Sequence, residues 1–155
     1  MSISRDQFVG ALHIPMDEAS KEWLWQAKRL KWRADGCFTL NREGQQWNCM
    51  AFTKSGEYMY AADSAPFLRG LPDAERMPLT SWLVVQVWDG LFEGLAQLGQ
   101  DVAYTQVDPN RKHVLRIMSN LVGRPPELDQ EGHYRLTISR AEWEQAKQTL
   151  YKGRV

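Results

Sequence analysis

The chain has 155 residues, of which 43% are hydrophobic and 25% charged, and its 19 basic residues balance 19 acidic ones. This length supports one domain over residues 1–155, and the charge balance disfavours partners bound through a global field, such as non-specific nucleic acid or an anionic membrane. The start MSISRDQF lacks the apolar run of a signal peptide, and no window approaches the roughly 20 apolar residues of a membrane span, so we expect a soluble, non-exported protein.

The first half of the chain predicts a helix followed by three strands. From Pro15 to Leu30, apolar residues recur at spacings of three and four, which indicates an amphipathic helix. After it come three short runs rich in aromatic and β-forming residues, separated by Arg-Glu-Gly and Lys-Ser-Gly. They predict an antiparallel meander whose strands begin near Cys37, Gln46 and Glu57.

A loop over residues 63–79 separates this meander from a long predicted helix. The loop contains proline, glycine and charged residues and exceeds the usual loop length, so it is either functional or holds a short helix. Thr80 or Ser81 is the expected N-cap of the long helix, which carries one apolar and one polar stripe and ends at Gly99.

The remaining chain predicts a strand, a helix, a strand and a last helix. DVAYTQV reads as a strand, and the helix after it begins near Asn110 and ends at Gly123, which supplies a left-handed cap. HYRLTIS alternates as a strand, and Ser139 with Glu142 three residues later gives a capping box for the last helix.

This order of elements predicts the fold class. Three strands in series followed by alternating helices and strands indicate an α/β domain with one mixed sheet and helices on both faces. The strands that lead into and out of the two central helices are the expected parallel neighbours.

Part of this pattern resembles a known family. The second half of the chain is similar to the second half of a GCN5-related N-acetyltransferase (GNAT) domain. The similarity lies in the run Val107–Asn110, in the helix after it with Leu121 near its end and Gly123 at its close, and in Tyr134–Thr137 with Trp143. The resemblance covers about residues 37–143. It implies a GNAT-like mixed sheet and, in active members, acetyl-coenzyme A as cofactor.

The chain departs from the family before the long helix. Active members enter that helix through a Gln/Arg-x-x-Gly-x-Gly/Ala loop, whose free amides bind the cofactor pyrophosphate. The corresponding stretch Glu75–Trp82 contains no glycine, and Pro78 removes one amide donor. Arg76 and Ser81 are the side chains left to contact a phosphate, so we expect no efficient acetyl-coenzyme A binding.

An active acetyl-coenzyme A-dependent N-acetyltransferase with an atypical cofactor loop is the alternative. For it, the resemblance gives Arg76, Ser81, Tyr104 and Asn110 as candidates near the cofactor and Glu57 as a possible base. We prefer a structural interpretation of both residues, in which Tyr104 is a half-buried strand aromatic and Glu57 a solvated turn residue. We therefore expect no catalytic residue.

A subset of GNAT-like sequences shares both the eroded loop and the retained strand-Asn-helix-Leu-Gly half. These are head assembly and internal virion proteins of short-tailed bacteriophages, and this chain resembles them. The resemblance implies other phage virion or assembly proteins as partners, no membrane, no specific nucleic acid, and a location in the bacterial host cytoplasm or the virion.

Two tryptophans suggest where a partner binds. Trp25 and Trp32 lie seven residues apart on the first helix, away from its core stripe and flanking Lys28 and Arg29. Tryptophan beside arginine is typical of an interface hot spot, although packing against a loop of the same chain explains the pair equally well. The basic residues between 28 and 33 complement the helix macrodipole, which we prefer to a nucleic-acid interpretation.

The cysteines and histidines predict no metal or redox centre. Cys37 and Cys49 lack the spacing of a zinc or thiol–disulfide motif, so buried free thiols are expected. His13, His113 and His133 have no further ligand at a recognisable spacing.

Overall fold

The computed structural model describes residues 5–16, 18, 34–42, 45–60, 71–107, 110, 119, 123 and 125–152. A short 3-10 turn at Arg5–Gln7 precedes the first strand. The regular elements of the described residues are β1 (Phe8–His13), β2 (Gly36–Arg42), β3 (Gln45–Phe52), β4 (Tyr58–Tyr60), α1 (Asp73–Gln97), β5 (Val102–Val107), β6 (Glu127–Leu128), β7 (Tyr134–Ser139) and α2 (Arg140–Lys152).

The predicted meander is confirmed and gains one strand. β1, β2, β3 and β4 form an antiparallel sheet in that order. The sequence did not predict β1, because FVGALH is short and Gly10 interrupts its apolar residues. Between Phe38 and Thr39 the register with β3 shifts by one residue, which leaves Cys49 as the extra residue of a bulge.

The prediction of one mixed sheet is wrong, and within the described part of the chain the predicted parallel pairing is found only at a single bridge between the start of β4 and β5. β5, β7 and β6 form a second antiparallel sheet, and among the described residues the two sheets meet at one parallel bridge, Glu57 to Tyr104. β5 and β7 were expected to run parallel. The short strand Glu127–Leu128, which the sequence did not predict, turns into β7 through a hairpin and reverses its direction relative to β5.

The long helix begins at Asp73, not at Thr80 or Ser81. Pro72 occupies the N-cap position, and Pro78 lies inside the helix as its sixth residue, counted from Asp73. An interior proline usually marks a helix boundary because it loses one hydrogen bond and crowds the preceding turn. Here the helix continues through it, with Leu79 and Leu83 buried in the core just beyond.

The two stripes of α1 are confirmed. Its apolar residues enter one core with the strands, while the acidic residues of the other stripe remain partly or fully exposed. The buried side chains of the helix are Leu79, Leu83, Val85, Val87, Trp88, Leu91, Phe92 and Leu95. The helix ends as predicted, since Gly99 has a φ of 78° and its N–H donates to the carbonyl of Ala96.

Two glycines let α1 lie directly on the first sheet. A Cβ built on Gly90 would fall 2.3 Å from the ring of Phe38, and one on Gly94 would fall 2.3 Å from the ring of Phe52. Both distances are far below van der Waals contact. The two phenylalanine rings therefore occupy the space that side chains at these positions would need.

The capping box that starts the last helix is confirmed. The Ser139 N–H donates to the Glu142 carboxylate at 3.0 Å, and the Glu142 N–H donates to Ser139 Oγ at 3.1 Å. One residue further along α2, Trp143 is fully buried, with its ring centroid 5.6 Å from that of Trp88 on α1. The cap thus fixes the helix start that delivers this indole to the core.

Two predicted helices, Pro15–Leu30 and Asn110–Val122, lie almost wholly outside the described residues. The end of the second one is nevertheless visible. Gly123 has a φ of 75°, and its N–H donates to the carbonyl of Ser119 at 2.9 Å, which confirms the predicted left-handed cap. Cys37 is a buried free thiol, as expected, whereas the side chain of Cys49 is not among those described.

Gly94→Ala tests the close approach of α1. We expect it to lower the free energy of unfolding by about 1–3 kcal/mol, the usual cost of overpacking a core, although alanine is the better helix former. Urea denaturation followed by circular dichroism measures the change. Gln97→Ala, at an exposed position of the same helix, is the control. Combining Gly94→Ala with Phe52→Leu should cost less than the sum of the two changes, and strict additivity would contradict the contact.

Candidate functional site

The N-terminus of α1 is acidic. Asp73 and Glu75 lie in its first turn, and the Arg76 guanidinium pairs with the Asp73 carboxylate. The N–H groups of Glu75 and Arg76 both donate to the carbonyl of Pro72, at 3.0 Å and 2.9 Å. Carboxylates at this end of a helix complement the macrodipole, and their negative charge opposes an anionic ligand at the same end.

The stretch that was compared with the cofactor loop is helix interior. Residues 75–82 lie within α1, and Ser81 is the ninth residue counted from Asp73. Backbone amides this far into a helix bond to carbonyls of the preceding turn and do not bind anions. Of the two predicted phosphate contacts, Arg76 thus lies at the helix start, but Ser81 lies two turns away from it.

The two sheets touch at the start of β4. The Tyr104 N–H donates to the Gly56 carbonyl at 2.9 Å, and Glu57 and Tyr104 form the parallel bridge. Gly56 has a φ of 100°, and a Cβ there would fall 2.2 Å from the carbonyl oxygen of Val102. Only glycine fits this position, because both the backbone conformation and the neighbouring carbonyl exclude a side chain.

The structure brings together two of the candidate enzyme residues at this junction. Glu57 is 5% exposed, so the interpretation of it as a solvated turn residue is wrong; its burial follows from the contact between the sheets, which the local sequence does not reveal. Tyr104 is half-buried as expected, and the Arg135 guanidinium lies 4.0 Å from its ring centroid. Asn110 is exposed beyond the end of β5.

A polar network that the sequence did not predict joins α1 to α2. The Trp143 indole N–H donates to Asp89 Oδ1 at 2.8 Å, and Lys147 Nζ lies 2.9 Å from the same oxygen and 2.9 Å from Glu144. Burial lowers the pKa of Lys147, but hydrogen bonds and charge from Asp89 and Glu144 outweigh it and raise the pKa above 10.5. The stabilisation that protonated Lys147 gains from Asp89 and Glu144 is therefore complete at neutral pH, and it is lost only as the pH rises through the raised pKa of Lys147.

A cavity of about 440 Å³ lies beside this network. Its floor includes Phe38 and Phe92, and its charged residues come from the two helices. They pair with one another, because Arg140 lies 3.4 Å from Glu93 and Lys147 bridges Asp89 and Glu144. Three carboxylates face two cations, which leaves one net negative charge, but each of these groups already has a partner, so the lining is poorly suited to select a charged ligand.

The β6–β7 hairpin gathers three side chains with metal-binding donors. Ligand atoms of Asp129, Glu131 and His133 lie within 4.8 Å of one another. Of these three residues, the prediction from the sequence considered only His133. The alternation of the three residues at every second position is the signal that would have indicated them.

Comparisons with protein-family models, curated proteins and solved structures found no significant match. Within the described part of the chain, none of the helices combines the length and the apolar character needed to cross a bilayer. The predicted interface residues Trp25 and Trp32 lie outside the described residues.

Asp89→Ala tests the network between the helices. It leaves the buried Trp143 N–H without its acceptor, and we expect a loss of about 1–3 kcal/mol in the free energy of unfolding. Asp89→Asn keeps an acceptor oxygen and should lose less. Glu144→Ala removes only the more exposed partner of Lys147 and serves as the control. Equal losses in Asp89→Ala and Glu144→Ala, measured by urea denaturation, would show that the indole bond contributes nothing.

Proposed function

We propose that this chain is a GNAT-like domain that works without acetyl-coenzyme A and acts through protein contacts in the assembly of a bacteriophage head or virion. The observation that carries the first part is the acidic start of α1, where Asp73 and Glu75 lie in the turn whose amides would face an anionic cofactor. The assembly role follows from the resemblance of the sequence to phage head assembly and internal virion proteins.

The arrangement of strands supports the GNAT-like part of the proposal. An antiparallel four-stranded sheet meets a second sheet through a parallel contact between the start of β4 and β5, and α1 connects those two strands. In active family members, the resemblance implies, the cofactor lies in the cleft between these two strands, with its pyrophosphate at the start of the connecting helix.

Electrostatics at the start of α1 oppose that cofactor. A pyrophosphate placed there would meet two carboxylates, and the one arginine of this turn, Arg76, is already paired with Asp73. Of the amides that a helix start normally leaves free, Pro72 lacks one and that of Glu75 bonds to the Pro72 carbonyl. Like charges at short range and a reduced set of donors both weaken anion binding.

An active N-acetyltransferase is the second candidate, and one observation favours it. Glu57 is a buried carboxylate whose backbone pairs with that of Tyr104 at the sheet junction. In such an enzyme Glu57 would deprotonate the acceptor amine and Tyr104 would return a proton to the thiolate of coenzyme A. Arg76 would then have to leave Asp73 to contact the cofactor.

Titration calorimetry with acetyl-coenzyme A separates the two candidates. We expect binding weaker than millimolar, because the start of α1 is acidic. The double variant Asp73→Asn, Glu75→Gln keeps the shape of this turn but removes its charge, and it should bind more tightly than the natural chain. Micromolar binding by the natural chain that is lost in Arg76→Ala would instead favour the active N-acetyltransferase.

The double variant Trp25→Ala, Trp32→Ala tests the protein interface. Tryptophans at an interface centre carry a large share of the binding free energy, so we expect fewer assembled particles or lower infectivity in infected cells. The purified variant should keep the melting temperature of the natural chain.

Val9→Ala is the control, since Val9 is an apolar residue that is 64% exposed. It should leave both assembly and melting temperature unchanged. Unfolding of the tryptophan variant would assign the pair to the core. The interface would then be sought first in residues 63–79, the predicted loop, of which the last seven residues belong to α1.

A further inference from the structure

The hairpin between β6 and β7 carries a cluster of three side chains with metal-binding donor atoms. Asp129, Glu131 and His133 alternate along five residues, and one ligand atom from each lies within 4.8 Å of the other two. Two carboxylates and an imidazole form a mixed oxygen and nitrogen donor set.

Hydrogen bonds to the backbone of the hairpin hold these residues in place. Asp129 Oδ1 accepts the N–H groups of Glu131 and His133, both at 2.9 Å. The Asp129 N–H donates to the His133 carbonyl at 2.8 Å, and Gly132 closes the turn with a φ of 83°. The three donors therefore start from a fixed loop, which lowers the entropy lost when they converge on an ion.

One ring nitrogen of His133 gives a second observation that favours a ligand site. Its Nδ1 atom is shielded from solvent, and within the described part of the chain it has no hydrogen-bond partner. A buried polar atom without a partner costs free energy that an exposed one does not. The imidazole thus has a nitrogen without a partner and contributes one ligand atom within 4.8 Å of both carboxylates, which suits coordination of a cation.

We propose that the Asp129, Glu131 and His133 side chains bind a divalent transition-metal ion of the Zn²⁺ type. Zinc takes carboxylate oxygen and imidazole nitrogen at about 2.0–2.2 Å, so tetrahedral ligands lie about 3.4 Å apart, and modest side-chain rotation closes the present spacing. The imidazole disfavours Ca²⁺ and Mg²⁺, which take oxygen ligands. With three protein ligands, water completes the coordination.

Calorimetry with zinc chloride tests the site on the full chain, freed of any affinity tag and of metal by prior chelation. We expect one ion per chain with micromolar or tighter affinity. Cobalt(II) should give the visible absorption of a tetrahedral site. Glu131→Gln and His133→Phe should each weaken zinc binding by at least about tenfold, since even partners of metal ligands contribute about 10–100-fold.

Glu127→Gln is the matched control, because it removes an exposed carboxylate of the same hairpin that lies outside the cluster. It should bind zinc like the natural chain. In metal-free protein, His133→Phe should not lower the melting temperature, since it removes an unpartnered nitrogen; should it unfold the chain, the exposed Glu131 still decides the question. Absence of zinc binding, or binding unchanged in Glu131→Gln, would overturn the proposal.

Discussion

The close approach of α1 to the first sheet is the constraint on which the rest of the packing depends. Gly90 and Gly94 leave room for two phenylalanine rings from β2 and β3, so the helix lies directly on the strands. At this depth Trp88 reaches Tyr58 on β4, with ring centroids 5.1 Å apart, and Trp143 on α2, at 5.6 Å. The Trp88 indole thus joins the first sheet to α2. The second sheet belongs to the same core, because Ala103 of β5 and Ile138 of β7 lie in the same buried cluster.

The junction between the sheets imposes a second constraint, on the backbone. Gly56 turns the chain with a positive φ directly beneath the Val102 carbonyl, and its own carbonyl accepts the N–H of Tyr104. β4 otherwise bonds to β3, and β5 bonds to β7, so the sheets separate beyond this point. Glu57 is buried although it follows a polar turn, because it lies at this junction, where the second sheet covers the end of the first.

Features encoded within a few residues could be predicted from the sequence, and features created by distant contacts could not. The capping box of Ser139 and Glu142 depends on a spacing of three residues, and it was predicted correctly. The start of α1 was misplaced because Pro78 normally marks a boundary, whereas here the buried leucines beyond it keep the helix intact. The burial of Glu57 arises from a contact between the sheets, which hydrophobic periodicity does not report. The donor cluster at the hairpin lies within five residues and was missed because the spacing of its two carboxylates was not considered together with His133.

The fold and a cofactor site at the start of α1 are separable in this chain for a physical reason. The side of α1 that faces the sheet supplies the packing, through Gly90, Gly94 and the apolar stripe, while its first turn contributes charge and hydrogen bonds at an exposed end. Asp73 and Glu75 in this turn oppose an anionic ligand and at the same time stabilise the helix, since acidic residues complement the macrodipole. Under the proposed function, loss of the cofactor therefore costs the fold nothing, and selection on the surface for protein contacts can proceed on an unchanged core.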